Sequence, residues 1–388
     1  MPPSTAWQCI LAQTELAHLT NTLPPEDSYE GLTAVIESKL SSWKMRPPNI
    51  HEALGERGVV LSRVYDAPLE YNSSASCPGD RPPAVVFLCD MEGTTTPLPF
   101  VKQVMLPLAA SYADTYTKVH FPSDAAFVQH VAAAAAFLAA KPVAVPTGEQ
   151  PDGSPVARTL SEAYEKSEAA QFKDEDANNT VRQLFCHHLR EEIKKEMAEA
   201  HVKAVVCSIW EEVYAQGQHQ TQVFPDVNEF FRYVGSERND GLWHIATYSC
   251  YSVAAQKVML RYTPYGDLNP FITAYFDPSI VGTKLMQKSY MRIHNLLAQQ
   301  LDIGAPEDLR IVFLTDSTSE ASAADCSGAI DCPVLCMRPL NEWITTETMF
   351  SVPVPFITSF SQLLRPDEKV DYHQLVKYTL ATLQEKAA

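Results

Sequence analysis

Two acidic residues, Asp90 and Glu92, follow closely after the apolar run VVFL at 85–88. Such a run predicts a buried strand, and one interpretation is that the strand simply ends in solvent, where acids are common. A second interpretation is that the strand carries a nucleophile to the rim of a sheet. In a locally extended chain, side chains two residues apart point the same way, so one carboxylate could attack while the other exchanges protons.

Four further apolar runs also end in polar or charged residues. The runs LWHIATYS, ITAYFD, RIVFLTD and CPVLCMRP lead to Ser249, Asp277, Asp316 and Arg338. Each run is short and apolar on both faces, as buried parallel strands are, and helical patterns separate them. This alternation predicts an α/β fold with a doubly wound parallel sheet. Ligands bind beyond the carboxyl ends of such strands, where Asp90, Ser249 and Asp316 lie, which favours the second interpretation.

The composition excludes several classes of protein. The 388 residues are 46% hydrophobic and 20% charged, which is typical of a globular chain with two or three domains. The formal charge of −17 repels phosphate backbones, so we expect no nucleic-acid partner. No apolar stretch approaches the ~20 residues that span a bilayer, and the N-terminus lacks the pattern of a signal peptide or presequence. We therefore expect no membrane partner and a cytoplasmic location, with the nucleus as an additional location.

Cysteine and histidine residues predict neither a disulfide framework nor a zinc site. The nine cysteines are scattered without a C-x-x-C motif, and Cys89 and Cys250 lie in predicted core elements, as expected of reduced thiols. His187 and His188 are adjacent and would point to different faces of a helix. Because no second pair has zinc spacing, we expect no transition-metal site there.

The alternation of strands and helices is interrupted at 103–240, which has mainly helical patterns. Within it, the segment 142–157 is rich in Pro and Gly and is predicted to be a loop. We expect 103–240 to be a helical cap inserted after the first strand and covering the strand ends. The sheet core is then expected at 84–102 and 241–388, and residues 1–83 form an N-terminal extension whose role the sequence does not indicate.

Several motifs occur in an order known from one enzyme family. The segment DMEGTTTPLPFVK at 90–102 is similar to the motif D-x-E-G-T-T-x-P-x-x-F-V-K, and TYSCYSVAAQKVML, AYFDPSIVGTKLMQKSY and IVFLTDSTSEASAA follow as similar later blocks. Together they resemble the enolase-phosphatases, or acireductone synthases, of the haloacid dehalogenase superfamily. The resemblance implies a haloacid dehalogenase-like core that binds one Mg²⁺ per chain and hydrolyses a small phosphate ester.

The resemblance also implies roles for individual acids. Hydrolysis of a phosphate monoester needs a nucleophile, a cation that shields its charge, and an acid for the leaving oxygen. Asp90 corresponds to the nucleophile, which forms an aspartyl-phosphate. Glu92 corresponds to a residue that combines metal ligation with proton transfer. The implied Mg²⁺ ligands are Asp90, Glu92 and Asp316, whose hard oxygen atoms suit this ion.

Three further positions correspond to residues that handle the phosphate. Ser249 precedes a predicted helix, whose free N–H groups favour an anion, and the family pattern makes Ser249 and Cys250 substrate-binding residues. Lys284 corresponds to a catalytic lysine that binds the phosphate and holds Asp90 ionised.

The implied substrate is 2,3-diketo-5-methylthiopentyl-1-phosphate, which a monomeric enzyme would enolise and dephosphorylate to the acireductone in methionine salvage. Two departures leave alternatives open: Tyr251 and Val213 stand where the family has glycine. One alternative is a phosphatase of the same superfamily that acts on another small phosphate ester. The other is a catalytically silent protein with a binding role, which would follow if the Tyr251 ring fills the phosphate position.

Two aromatic residues, Trp210 and Tyr214, lie four residues apart in a predicted helix and therefore share a face. Aromatic residues at this spacing usually pack in a core. We expect them to anchor the core of the cap. The alternative is that one of them covers the methylthio tail of the substrate.

Overall fold

A computed structural model describes residues 49–61, 83–140, 145–149, 155–195, 199–217, 219–236, 242–305, 308–338, 354–365 and 368, with 145–149 and 155–158 described by their backbone alone. Most of the predicted extension 1–83 lies outside the described residues. The chain divides into two compact units. One comprises the described residues of Met1–Pro99, Thr221–Gln256 and Leu260–Ala388, and the other is mainly Phe100–Gln220.

The first unit is built on a sheet of six parallel strands. The strands are β1 (Ala84–Cys89), β4 (Trp243–Tyr248), β5 (Ala274–Phe276), β6 (Leu309–Thr315), β7 (Cys332–Cys336) and β8 (Phe356–Ile357). Their order is β5-β4-β1-β6-β7-β8, so the chain winds outward in both directions from the central β1. This confirms the predicted α/β fold with a doubly wound parallel sheet.

Short helices and longer ones connect these strands. They are α1 (Ile50–Glu56), α2 (Leu98–Phe100), α8 (Pro225–Val234), α9 (Val253–Arg261), a 3₁₀ turn (Asn269–Phe271), α10 (Pro278–Val281), α11 (Gln287–Gln300), α12 (Thr318–Ser327) and α13 (Ser361–Leu364). The second unit begins at the junction of α2 with a π-helical turn at Val101–Met105.

Both faces of the central strand β1 are buried, which explains its continuous apolar run. Val86 and Leu88 belong to a buried cluster that includes Tyr290 of α11. On the other face, the ring of Phe87 meets the ring of Phe230 of α8 edge to face, with centroids 4.9 Å apart. Helix α8 therefore belongs to the sheet unit, although sequence analysis placed residues up to 240 in the cap.

The register of the strands sets the position of the residues that follow them. Cys89, the last residue of β1, lies beside Thr247 of β4 and Leu314 of β6. The amide of Asp90 donates to the carbonyl of Leu314 over 2.9 Å. Residues that follow β1, β4 and β6 consequently meet at one edge of the sheet.

The second unit is mainly helical. Its helices are α3 (Leu106–His120), α4 (Ala125–Ala139), α5 (Leu160–Ala169), α6 (Glu175–Lys194) and α7 (Ala200–Ala215). The prediction of a loop at 142–157 is wrong, because β2 (Val145–Glu149) and β3 (Pro155–Arg158) pair there as an antiparallel hairpin. The Pro and Gly residues mark an irregularity in that hairpin, since its register shifts between Pro146 and Gly148.

Trp210 and Tyr214 are core residues of the second unit, as predicted. Both side chains are completely buried. The indole N–H of Trp210 donates to the carbonyl of Met105 over 2.9 Å, and the hydroxyl of Tyr214 contacts Met105 Sδ at 3.3 Å. Neither aromatic side chain exposes surface to a ligand in this structure.

Adjacent histidines of α6 point to different faces of that helix, as predicted. His187 is exposed, whereas His188 is buried with its Nε2 atom 3.0 Å from Nε2 of His201 in α7. Across the described part of the chain, none of the helices has both the length and the apolar composition of a membrane-spanning segment.

Candidate active site

The predicted site residues converge at the carboxyl edge of the sheet, within the first unit. A cavity of about 410 Å³ is lined by Asp90, Glu92, Cys250, Lys284, Asp316, Ser317, Thr318, Ser319 and Glu320. Of the six positions that the sequence singled out, Ser249 alone is not among the described residues that line the cavity. It is completely buried, and its hydroxyl accepts the amide N–H of Tyr251 over 3.2 Å.

Asp90 follows the last residue of β1 and is only 3% exposed. Its Oδ1 atom accepts the amide N–H of Met91 over 2.6 Å and contacts the ammonium group of Lys284. Burial raises the pKa of Asp90 to about 7, although the positive charge of Lys284 opposes this shift. The carboxylate therefore depends on a nearby positive charge to be ionised, as a nucleophile must be.

Lys284 is the buried cation of the site, at 8% exposure. Its ammonium group contacts Asp90 and lies 3.3 Å from Oε2 of Glu320. Burial lowers the pKa of Lys284, but the charges of Asp90 and Glu320 outweigh it and raise that pKa well above its usual range. Lys284 is consequently a permanent positive charge beside the carboxylates.

The loop that carries Lys284 is held by specific contacts. The hydroxyl of Tyr290 donates to the carbonyl of Lys284 over 2.6 Å. Gly282 has a φ of +100°, and a Cβ at this position would lie 2.8 Å from Oγ of Ser289. A glycine is therefore required at 282, both for its backbone conformation and for the close approach of Ser289.

Two acids come from the end of β6 and the first turn of α12. Asp316 is 2% exposed, and burial together with the negative charges of Asp90 and Glu320 raises its pKa well above the usual range. Glu320 accepts a hydrogen bond from Oγ1 of Thr315 over 2.8 Å in addition to its contact with Lys284. Glu320 lies within a motif of the family resemblance but was not predicted to have a role. Its position in the first turn of the helix, four residues after Asp316, was the signal that could have identified it.

Glu92 is held by the loop that follows β4. The hydroxyl of Tyr251 donates to Oε1 of Glu92, and Sγ of Cys250 donates to Oε2 over 3.2 Å. The Tyr251 ring is buried, and Tyr251 is not among the described residues that line the cavity. The ring therefore leaves the cavity open, contrary to the arrangement that a silent protein would require.

The donor chemistry of the cavity fits a hard divalent cation. Asp90 and Asp316 are buried carboxylates, and the negative charge of Asp90 contributes to the raised pKa of Asp316. A cation between them would relieve this repulsion, and carboxylate oxygens are ligands that Mg²⁺ prefers. Within the described ranges no three His, Cys, Asp or Glu side chains form a ready-made metal cluster. Glu92, the third implied ligand, is engaged by Tyr251 and Cys250 instead.

A parallel sheet with buried carboxylates and a lysine at its rim is the arrangement that the resemblance to hydrolases of the haloacid dehalogenase superfamily implies. The chain is 32% identical over 271 residues to enolase-phosphatase E1 of Drosophila mojavensis, covering 70% of this chain and 92% of the relative. It is 29% identical over 240 residues to enolase-phosphatase E1 of Leptospira borgpetersenii serovar Hardjo-bovis, covering 62% and 84%. The chain belongs to the enolase-phosphatase family and is a phosphoric monoester hydrolase.

No protein-family model matches the sequence. The solved structure of UTR4 protein from Saccharomyces cerevisiae is similar to this chain with a TM-score of 0.44 and 22% identity, and the match covers 71% of this chain and 98% of that one.

Proposed function

We propose that the chain is an Mg²⁺-dependent enolase-phosphatase that converts 2,3-diketo-5-methylthiopentyl-1-phosphate to the acireductone and inorganic phosphate in methionine salvage. The observation that carries this proposal is the buried contact between Lys284 and Asp90 in a cavity shared with Asp316. The names of the relatives support the substrate.

Asp90 is the nucleophile of the proposed reaction. Its carboxylate attacks phosphorus, and the bond between phosphorus and the substrate oxygen breaks, which leaves an aspartyl-phosphate. Lys284 contacts Oδ1 of Asp90, so Oδ2 is the attacking atom. The ammonium group keeps the carboxylate ionised and offsets negative charge on the phosphoryl group. A water molecule then hydrolyses the aspartyl-phosphate, which releases phosphate and regenerates Asp90.

Glu92 transfers protons in the proposed reaction. It gives a proton to the leaving oxygen in the first step and takes one from the attacking water in the second. The same carboxylate suits the removal of a proton from carbon during the enolisation that precedes dephosphorylation. Asp90 and Asp316 would hold the Mg²⁺, and the bound ion would supply positive charge next to the phosphoryl group.

The phosphate is proposed to lie between Lys284 and the start of α12. Ser317, Thr318 and Ser319 line the cavity at the N-terminus of this helix, where free N–H groups favour an anion. Cys250 lines the cavity from the loop that follows β4 and is the proposed substrate contact there. The hydroxyl of Ser249 accepts the amide N–H of Tyr251 and so supports that loop. Ser249 is proposed to contribute to substrate binding by holding the loop in place.

A second candidate function is a phosphatase of the same superfamily that acts on another small phosphate ester. The specific observation behind it is that Tyr251 and Cys250 are both bonded to Glu92, at positions where the family pattern has other residues. Such a change next to the proton-transfer group can alter which substrate is accepted without altering the attack by Asp90.

Phosphate release tests these alternatives. The purified 388-residue chain with Mg²⁺ is incubated with the diketone phosphate and with a panel of small phosphate esters, with the Drosophila mojavensis relative as a matched active control. The proposal expects the diketone to have the highest kcat/KM. A panel member that clearly exceeds the diketone would select the second function, and no phosphate release from any ester would contradict both.

A further inference from the structure

Three of the four acids that line the cavity, Asp90, Glu320 and Glu92, fall into two separately bonded groups. Asp90 and Glu320 are held by Lys284, on one side of the cavity. Glu92 forms the second group. Both of its oxygen atoms accept hydrogen bonds from the loop after β4, one from Tyr251 and one from Cys250. Two donors on two oxygen atoms fix both the position and the rotation of a carboxylate group.

The hydroxyl of Tyr251 is itself held in place by buried contacts. The Tyr251 ring is 3% exposed, its amide donates to Oγ of Ser249, and its carbonyl accepts from Nε2 of Gln256 over 2.9 Å. Gln256 is completely buried and also bonds to Thr247 Oγ1 over 2.7 Å. Because the backbone and the ring are both fixed, the phenol donates from a constant position. A hydrogen bond to a carboxylate is among the stronger kinds in proteins.

We propose that Tyr251 is a positioning residue that holds Glu92 as the proton-transfer group of the reaction and keeps it from serving as a metal ligand. Cys250 assists from the second carboxylate oxygen. This inference rests on the proposed function, because it assigns the part that Glu92 plays in it. The glycine that the family pattern has at position 251 has no side chain that could hold Glu92, so the arrangement is a property of this chain.

The variant Tyr251→Phe tests the proposal because it keeps the ring and removes only the hydroxyl. The assay uses p-nitrophenyl phosphate with Mg²⁺ under stopped flow. Its leaving group departs as a stable anion, so formation of the aspartyl-phosphate requires no proton from Glu92. Hydrolysis of that intermediate still requires Glu92 to take a proton from water. We expect a burst of p-nitrophenolate within about twofold of the wild-type rate, followed by turnover slowed about tenfold to a hundredfold.

Controls separate positioning from loss of structure. Tyr275→Phe removes another tyrosine hydroxyl of the same unit, which donates to Asn269 over 2.6 Å, and should leave both phases unchanged. In a Glu92→Gln background, Tyr251→Phe should cause no further loss, because the group that it positions is already gone. KM for p-nitrophenyl phosphate should stay within about twofold of wild type, since the phenol does not line the cavity.

Three results would overturn the proposal. One is unchanged turnover in Tyr251→Phe, and another is an equal slowing of burst and turnover. The third is a full additional loss in the Glu92→Gln background. The outcome is independent of the diketone assay, because p-nitrophenyl phosphate reports the phosphatase steps even if another metabolite proves to be the substrate. Failure of the proposed function and failure of this inference are therefore distinguishable.

Discussion

The ammonium group of Lys284 contacts the carboxylate of Asp90, although 194 residues separate them along the chain. Asp90 is 3% exposed and Lys284 is 8% exposed, so both charges have been removed from water. Burying an ion pair costs several kcal/mol per ion before the mutual attraction is counted, and further carboxylates lie nearby. This arrangement is a poor way to stabilise a fold, but the charge of Lys284 opposes the rise that burial causes in the pKa of the nucleophile.

Replacement of the nucleophile should nearly abolish activity. The variant Asp90→Asn keeps the size of the side chain but removes the attacking anion, so we expect turnover to fall by at least about a thousandfold. Phosphate release from the best ester is the measurement, with circular dichroism to verify the fold. Asp267→Asn, which changes a partly exposed acid of the same unit, should retain wild-type activity. If Asp90→Asn kept a tenth of the activity, another residue would have to be the nucleophile.

Removal of the buried cation should destabilise the protein as well as inactivate it. Lys284→Met leaves Asp90, Asp316 and Glu320 without their positive partner. Breaking a buried pair from one side typically costs about 3–5 kcal/mol, and we expect a loss in this range in the free energy of unfolding measured with urea at pH 7.5. Lys288→Met, at an exposed position one turn away, is the matched control and should change the free energy by less than about 0.5 kcal/mol. Equal stability of the two variants would mean that the pair is not formed.

Mg²⁺ should stabilise the folded protein through Asp316 more than through Glu92. A ligand that binds only the folded state raises the melting temperature by mass action. We expect a rise with millimolar Mg²⁺ that a chelator reverses, and Asp316→Asn should lose most of it. Glu92→Gln should lose less, because Tyr251 and Cys250 already hold that carboxylate. A thermal shift assay at constant ionic strength is sufficient, and the absence of any rise in the wild-type chain would argue against the metal site.

The central part of the fold was predictable because it follows from simple patterns. The run at 85–88 is apolar on both faces, as expected of a strand that is covered on two sides. Strand β1 is such a strand. Polar residues at the ends of parallel strands meet at one edge, so the proximity of Asp90 to Asp316 followed from the alternation of elements. Lys284 could not be identified from the alternation of strands and helices. Its identification depended on its matching position within a motif of the family.

Other features depend on contacts that no local pattern encodes. The bond from Tyr251 to Glu92 joins two loops that are remote in sequence, and the departure from glycine at 251 suggested obstruction rather than support. The amphipathic pattern of α8 is that of any surface helix, so it could not indicate that Phe230 packs on Phe87 of the sheet unit. The hairpin at 145–158 was missed because its Pro and Gly residues are also the residues of loops.

The stability of the chain should depend on pH through buried His188, whose Nε2 atom lies 3.0 Å from Nε2 of the half-buried His201. Burial, with a smaller effect of the charge on His201, lowers the pKa of His188 from 6.5 to about 4. Between these values an unfolded chain binds a proton at His188 that the folded chain does not, so the free energy of unfolding decreases as the pH falls. We expect this contribution to be about 1 kcal/mol at most between pH 7.5 and pH 5.5.

Urea denaturation of three proteins at pH 7.5, 6.5 and 5.5 measures this contribution. His188→Gln retains a group that can hydrogen-bond to His201 but does not titrate, so its stability should fall less steeply with decreasing pH than that of the wild type. His187→Gln changes the exposed neighbour and should show the wild-type slope. Identical slopes for all three proteins would mean that His188 is protonated as readily in the folded chain as in the unfolded one. That result would contradict the expectation that burial lowers the pKa of His188.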